Sequence, residues 1–573
     1  MRPNRLFVLA SLPILTVAFV VVPAATSPAE QKAAEAAHGM VVSANVLASQ
    51  TGVDILKKGG NAVDAAVATG FALAVTYPGA GNIGGGGFFV IRLADGATAA
   101  LDFREKAPQR ASRDMYLDSA GNIIPGLSLL GHRAAGVPGS VDGLLTALAK
   151  YGTMKRADIL EPAIRLARGG FPVDEPLARS IRNAMGDFRK YPAALKVFAP
   201  DGKPLQAGDT LYQRDLARTL ERIAAEGRNG FYRGETADLI VAEMKRGNGL
   251  IDHEDLRSYR SVFREPICGT YRGYDIISMP PPSAGGIALI EILDILEGRK
   301  LKPADFHTAS AVHYAVEAMK HAYADRAEYI GDPDAVHVPV REIISKGYAA
   351  KVLGSIRADA ATPPDSIRTG SFSTHERDQT THYSVVDKWG NAVSVTTTIN
   401  GWFGSAVLVD GAGFFLNNEM DDFSSKPGVP NMFGLTGGEA NAIAPGKRML
   451  SSMTPTIVVK DGKPLLIAGS PGGSTIITTV LQVVLNVIDF KMDLEHSVAA
   501  ARFHHQWRPD TVFYERSTFS PEVIRQLEAM GYHLLQRPHN GVQGLVEAIM
   551  IDPRRGRLIG VSDPRGEGAA VGY

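Results

Sequence analysis

Residues 378–400 read Asp378-Gln379-Thr380-Thr381-His382-Tyr383-Ser384-Val385-Val386-Asp387-Lys388-Trp389-Gly390-Asn391-Ala392-Val393-Ser394-Val395-Thr396-Thr397-Thr398-Ile399-Asn400. The pattern is that of a β-hairpin. His382 to Asp387 mixes polar and apolar side chains, with Tyr and Val favouring extended backbone. Lys388-Trp389-Gly390-Asn391 carries the Gly and Asn that a tight reversal needs, since both tolerate positive φ. Ala392 to Ile399 is a second β-branched run that alternates from Val393 onward. Centring the turn on Trp389 sets Thr380 opposite Thr398.

Upstream, Asp359 to Gln379 has the composition of an exposed tether: Pro, Ser, Thr, Gly and charges dominate, and few residues could join a core. A tether that runs into a rigid hairpin at a threonine suits a self-cleaving amidohydrolase. The hydroxyl attacks the preceding carbonyl, the ester hydrolyses, and the threonine becomes a new N-terminus. Its α-amine, with an ordinary pKa of about 7.7–8.0, then serves its own hydroxyl as general base. A β-branched strand residue after a loop looks the same, and spacing does not separate the two.

Further out, Thr380-Thr381-His382-Tyr383-Ser384-Val385-Val386-Asp387-Lys388 is followed by Leu416-Asn417-Asn418-Glu419-Met420-Asp421-Asp422-Phe423 and by Gly469-Ser470-Pro471-Gly472-Gly473-Ser474. These runs closely resemble the γ-glutamyltranspeptidases, N-terminal-nucleophile hydrolases made as one chain and cut into two, and the likeness extends from about residue 33 to Tyr573. It implies an α+β fold, the four-layer αββα sandwich of the Ntn hydrolases, formed jointly by both segments. It also implies a large subunit over 26–379 and a small catalytic subunit over 380–573, parted between Gln379 and Thr380 and remaining together as a heterodimer.

The beginning of the chain reads as a leader. Arg2 and Arg5 precede the apolar Leu6–Val22 stretch, and small residues at Val22-Pro23-Ala24-Ala25 offer a cleavage site near residue 25. That apolar stretch is at the short edge of spanning length and contains Ser11 and Pro13, so export to a periplasmic or secreted location is expected over a membrane anchor. Basic and acidic residues balance at 60 each, which argues against nucleic acid or an anionic membrane as partner. Cys268 is the one cysteine, which excludes an internal disulfide, CxxC zinc sites and thiol redox pairs. Neither an HExxH zinc motif nor a GxSxG elbow occurs.

Within the large segment, Gly59–Ala66 opens an Ala-rich helix running to about Val75, a composition suited to close packing on a sheet. Gly84 to Gly87 precede Phe88-Phe89-Val90-Ile91 without a Gly-Lys-Ser/Thr ending, so tight backbone packing is expected rather than a phosphate cradle. Ala99 to Glu105 reads as a strand ending in charge. Arg104 there has two readings: a surface ion pair of little weight, or a guanidinium fork for a carboxylate. His313 and His321, eight apart on one helix, and the pair His504-His505 have poor spacing for a shared metal.

The resemblance then assigns roles. Thr380 is the nucleophile and Thr398 holds its hydroxyl. Amide groups of Gly472 and Gly473, at a glycine turn before a helix, form the oxyanion hole. Arg104, with Ser451 and Ser452, binds the α-carboxylate of a γ-glutamyl group, and Asn400, Glu419 and Asp422 surround its α-ammonium. Glutathione and related γ-glutamyl compounds are the implied donors, with water, amino acids or dipeptides as acceptors and no cofactor or metal. Asp421 matches no role. Lys426 to Lys447 resembles the lid loop over the pocket, where bacterial relatives are expected to carry a Tyr bonded to the asparagine matching Asn400. Here Phe433 stands instead, which predicts a looser cover. A glutaryl β-lactam acylase of the same fold is the alternative reading, and a non-catalytic periplasmic binding protein a more distant one.

Overall fold

The computed structural model describes residues 33–367, 380–538 and 541–573. The leader and Gln379 lie outside them. Two seven-stranded sheets dominate. One runs Ala569–Gly572, Met40–Ser43, Thr381–Val386, Ala392–Thr398, Gly86–Arg92, Thr98–Asp102, Val262–Arg264. The other runs Ala33–Ala36, Leu558–Ser562, Glu547–Ile551, Lys463–Ala468, Thr456–Lys460, Tyr274–Ser278, Ile267–Tyr271. Every pairing within both sheets is antiparallel.

Side-chain alternation stacks these sheets into four layers. In the central hairpin Tyr383, Val385, Val393 and Val395 face one way, into a core shared with the helices Ala62–Thr76, Ser140–Tyr151 and Arg156–Gly169. Val386 and Ala392 face the other way and meet Ile277, Ile457, Ile467 and Ile549 of the opposing sheet. That second sheet covers its outer face with Gly285–Glu297, Ala309–Tyr329 and Ile476–Ile488. The expected αββα sandwich is therefore present, and the period of two along each strand is its cause. The Ala-rich helix is buried along its whole length, its small side chains allowing close approach to the sheet, with Asn61 and Asp64 forming a reciprocal cap.

The hairpin is central in its sheet, flanked by Met40–Ser43 on one side and Gly86–Arg92 on the other. Strands from before and after residue 380 thus share one ladder. Its turn is organised by Asp387, whose carboxylate accepts from the amides of Trp389 at 2.9 Å and Asn391 at 3.0 Å, while Gly390 adopts φ +90°. The glycine run packs as expected: a side chain at Gly85 would strike the Thr398 carbonyl, and one at Gly87 the Thr396 carbonyl.

The tether is shorter than its composition indicates. Residues 359–367 are docked on the small segment: the Ala361 amide donates to the Met530 carbonyl at 2.7 Å, and Trp507 Nε1 donates to the Pro364 carbonyl at 3.1 Å. Buried Lys320 donates to the Thr362 carbonyl, and Ile367 is buried. Composition misleads here because Thr362 and Pro364 contribute backbone carbonyls to buried donors rather than side chains to a core. His313 belongs to the same junction, bonding Tyr532 Oη and the Arg357 carbonyl at 2.7 Å each.

Candidate active site

Thr380 lies at the head of the strand Thr381–Val386 and is 6% exposed. The ladder pairs Thr381 with Thr397 and Thr398 with Gly86, so Thr380 falls across from Thr398. The Thr398 hydroxyl accepts the Asn400 amide at 2.7 Å, and Asn400 sits at φ +68°, a left-handed conformation that Asn tolerates. His382, two residues along the strand, bonds Thr396 at 2.9 Å and Ser384 at 3.2 Å between the sheets. Burial pushes its imidazole down to about 3, so it is a neutral packing residue rather than a base.

Gly472 and Gly473 both hold positive φ, +137° and +50°, at the entrance to the short 3-10 turn Gly473–Thr475 and the helix Ile476–Ile488. The Gly472 carbonyl is occupied by the Thr475 amide and hydroxyl, each at 2.8 Å. Among the described residues neither glycine amide has a hydrogen-bond partner. Two unpaired N–H groups at a helix start are suited to a developing oxyanion. The Phe433 ring covers this turn and would meet any side chain at Gly473.

Arg104 is fully buried just after the strand Thr98–Asp102. Its guanidinium is forked by Glu419 and Asp422, and it also donates to the carbonyls of Met449 at 3.3 Å and Leu450 at 3.2 Å. Glu105 lies 3.5 Å away, also buried. Arg104 thus faces three carboxyl groups, and the buried Arg326 also attracts Asp422. Burial, opposed by the pull of Arg104, raises all three above the usual carboxylate range, Glu105 to about 8. Ser451 Oγ accepts the Met453 amide at 3.1 Å, whereas the buried Ser452 hydroxyl has no partner among the described residues. Asn400 connects the two halves of the site: its Nδ2 donates to the Asn418 carbonyl at 3.0 Å, one residue before Glu419.

The structure therefore gathers Arg104, Glu419 and Asp422 into one cluster and sets Asn400 between it and the hairpin, with Ser451 and Ser452 following Leu450. The two charges expected to read opposite ends of a ligand pair with each other here. Three contributors have no counterpart in the sequence reading. Asn431 Nδ2 donates to Asp422 at 3.1 Å, Ser128 Oγ donates to Asp421 at 2.6 Å, and Tyr323 Oη donates to the Ser474 carbonyl. Only Asn431, within the lid-like loop, carried a sequence signal. None of the site residues lines the cavity of about 520 Å3 walled by Arg133, Tyr191, Glu243 and Leu408. His504 bonds Thr478 and Gln506 at 2.8 Å each, and His505 bonds Asp510 at 3.2 Å, so the two rings have separate partners.

A sequence profile described as gamma-glutamyltranspeptidase matches residues 48–573. The chain belongs to the γ-glutamyltranspeptidase family. Among its γ-glutamyltranspeptidase-family relatives is a "Glutathione hydrolase proenzyme" of Escherichia coli (strain K12), 51% identical over 92% of this chain and 91% of the relative. Of solved structures, a cephalosporin acylase from Bacillus halodurans superposes with a TM-score of 0.84 at 30% identity, covering 97% of this chain and 99% of that one. A chain of Helicobacter pylori gamma-glutamyltranspeptidase gives a TM-score of 0.56 at 48% identity, covering 58% of this chain and 95% of that one.

Proposed function

We propose that the protein is an exported, self-processing γ-glutamyl transferase and hydrolase acting on glutathione and related compounds. The observation that carries this reading is the buried Arg104–Glu419–Asp422 cluster beside the threonine-bearing hairpin, which holds both charges needed for an amino-acid head group. A zwitterion entering the site would exchange partners within the cluster, its α-carboxylate taking Arg104 with the free Ser452 hydroxyl and its α-ammonium taking Asp422 and Glu419. The precursor would be cut between Gln379 and Thr380 into large (26–379) and small (380–573) subunits after loss of the leader. Two findings support division of the chain: the E. coli relative is called a proenzyme, and the H. pylori chain is nearly all covered yet matches only 58% of this one.

In the processed enzyme the Thr380 α-amine removes the hydroxyl proton as Oγ attacks the γ-amide carbonyl, and the amides of Gly472 and Gly473 stabilise the oxyanion. The leaving amine departs with a proton. The γ-glutamyl ester passes to water or to an amino acid or dipeptide. Among the described residues no helix is long and apolar enough to cross a membrane, and the leader supplies the case for a periplasmic or secreted location.

Glutaryl β-lactam acylase activity is the second reading, favoured by the likeness to the Bacillus halodurans acylase. A glutaryl group lacks the α-ammonium and would leave Asp422 without a ligand charge. A denaturing gel with N-terminal sequencing of the smaller band, and turnover of γ-glutamyl against glutaryl anilides, test the whole. The γ-glutamyl compound should be preferred, and Asp422→Asn should narrow that preference. One band, or a small chain starting elsewhere than Thr380, defeats the processing assignment. Equal losses on both anilides defeat the role of Asp422.

A further inference from the structure

Asp421 takes no part in the chemistry above, yet the cover loop rests on it. It is 6% exposed, and its two oxygens are held from opposite sides. One accepts the Ser128 hydroxyl at 2.6 Å, the other the Met432 amide at 2.9 Å. Ser128 belongs to a loop whose Leu129 carbonyl accepts Asn418 Nδ2 at 3.0 Å, so that side is fixed to the Asn400 end of the site. Met432 belongs to the cover. Beside it, Asn431 Oδ1 accepts the amides of Phe433 at 3.0 Å and Leu435 at 3.2 Å, making a compact turn. The Met432 sulfur lies 3.5 Å from Asn400 Nδ2, and the Phe433 ring covers Gly473. One buried carboxylate therefore fixes the backbone at the residue that faces Asn400 and precedes the residue that covers the oxyanion turn.

We propose that Asp421 is a positioning residue that latches the cover loop, and that the latched loop governs how the acyl-enzyme divides between an amine acceptor and water. The inference rests on the γ-glutamyl-enzyme of the preceding subsection. In either branch a nucleophile, amine nitrogen or water oxygen, bonds to the acyl carbon as the Thr380 Oγ–carbon bond breaks, and the nucleophile's proton ends on Oγ. Both branches consume the same ester, so their ratio is insensitive to the acylation rate and to the amount of active enzyme. Charge-assisted bonds to a buried amide and hydroxyl are the strong kind, and losing them leaves two donors unpaired. An unlatched loop admits water and removes the wall beside which an acceptor must sit.

The test counts γ-glutamyl dipeptide against free glutamate, from a γ-glutamyl anilide and a dipeptide acceptor at fixed concentration. Asp421→Asn keeps an oxygen for the Met432 amide and should hold the ratio within about twofold of the parent. Asp421→Ala should lower it about tenfold, the scale of one charge-assisted bond, and Ser128→Ala two- to threefold. A parental ratio in Asp421→Ala overturns the latch, and so does an equal loss in Asp421→Asn, which would mean that charge rather than the hold on Met432 matters. Should Asp421→Ala not fold, Ser128→Ala decides: a parental ratio overturns the proposal. If the parent forms neither γ-glutamyl dipeptide nor free glutamate, the proposed function fails instead. The latch is then judged by limited proteolysis within 426–447, which Asp421→Ala should accelerate and Asp421→Asn should not.

Discussion

The central hairpin and the acidic turn meet at Asn400, and they are built on opposite principles. The hairpin sets Thr380 against Thr398 by backbone pairing alone, inside a ladder closed on both sides by other strands. Its side chains are mostly small, β-branched and neutral. The turn at Glu419–Asp422 gathers charges from stretches over 300 residues apart and holds them by mutual attraction, with the Arg104 guanidinium among three carboxyl groups. Such a cluster is costly to bury and depends on every partner. The placement of Thr380 is thus inherited from sheet register, whereas the acidic turn is a balance of buried charges.

The largest effect should come from the hairpin. Thr380→Ala keeps the ladder and should leave one uncut, inactive chain of unchanged thermal stability. Two bands from that variant would show that register does not define the nucleophile. Next, Arg104→Ala should raise KM for γ-glutamyl donors about 100-fold, on the scale of two charge-assisted bonds. It should also destabilise the protein by about 3–5 kcal/mol, because the buried carboxyl groups of Glu419 and Asp422 lose their shared partner. A rise in KM with unaltered unfolding would mean that the cluster only binds and does not hold the turn.

The balance also has a pH signature. Burial raises Glu105 from an ordinary 4.5 to about 8. A carboxyl raised on folding contributes stability that is complete below its unfolded value and is lost as pH rises through its folded value. The thermal midpoint should therefore decline between pH 5 and pH 8. Glu105→Gln, permanently neutral, should flatten that decline and gain about 2–4 °C at pH 8 with little change at pH 5. An unaltered slope would place the titrating group elsewhere. The smallest effect belongs to Phe433→Tyr. A hydroxyl added to the ring that covers Gly473 should raise the transfer-to-hydrolysis ratio about twofold, at the low end for one hydrogen bond. An unchanged or lowered ratio makes Phe433 a neutral packing choice.

The expected looseness of the cover illustrates where sequence reading stops. Phe433 cannot donate to Asn400, but the loop keeps other ties: Asp421 to Met432, Asn431 to Asp422, and Gln506 Nε2 to the Phe433 carbonyl at 3.3 Å. Its ring is buried rather than free. Those partners belong to two separate stretches, and no local pattern announces that they converge on the loop.

By itself the sequence determined the hairpin, its turn and the Thr380–Thr398 register, because strand alternation and glycine-bearing turns are local properties of the backbone. The Ala-rich helix and the packing glycines were legible for the same reason. The family motifs pointed to Arg104, Glu419 and Asp422 but not to their shared ion pair. Only the tertiary structure decided that pairing, the Ser128–Asp421–Met432 tie and the docking of residues 359–367. Each depends on where a buried charge or carbonyl finds its partner across a long span of chain. Desolvation makes such partners obligatory, while spacing along the chain does not identify them.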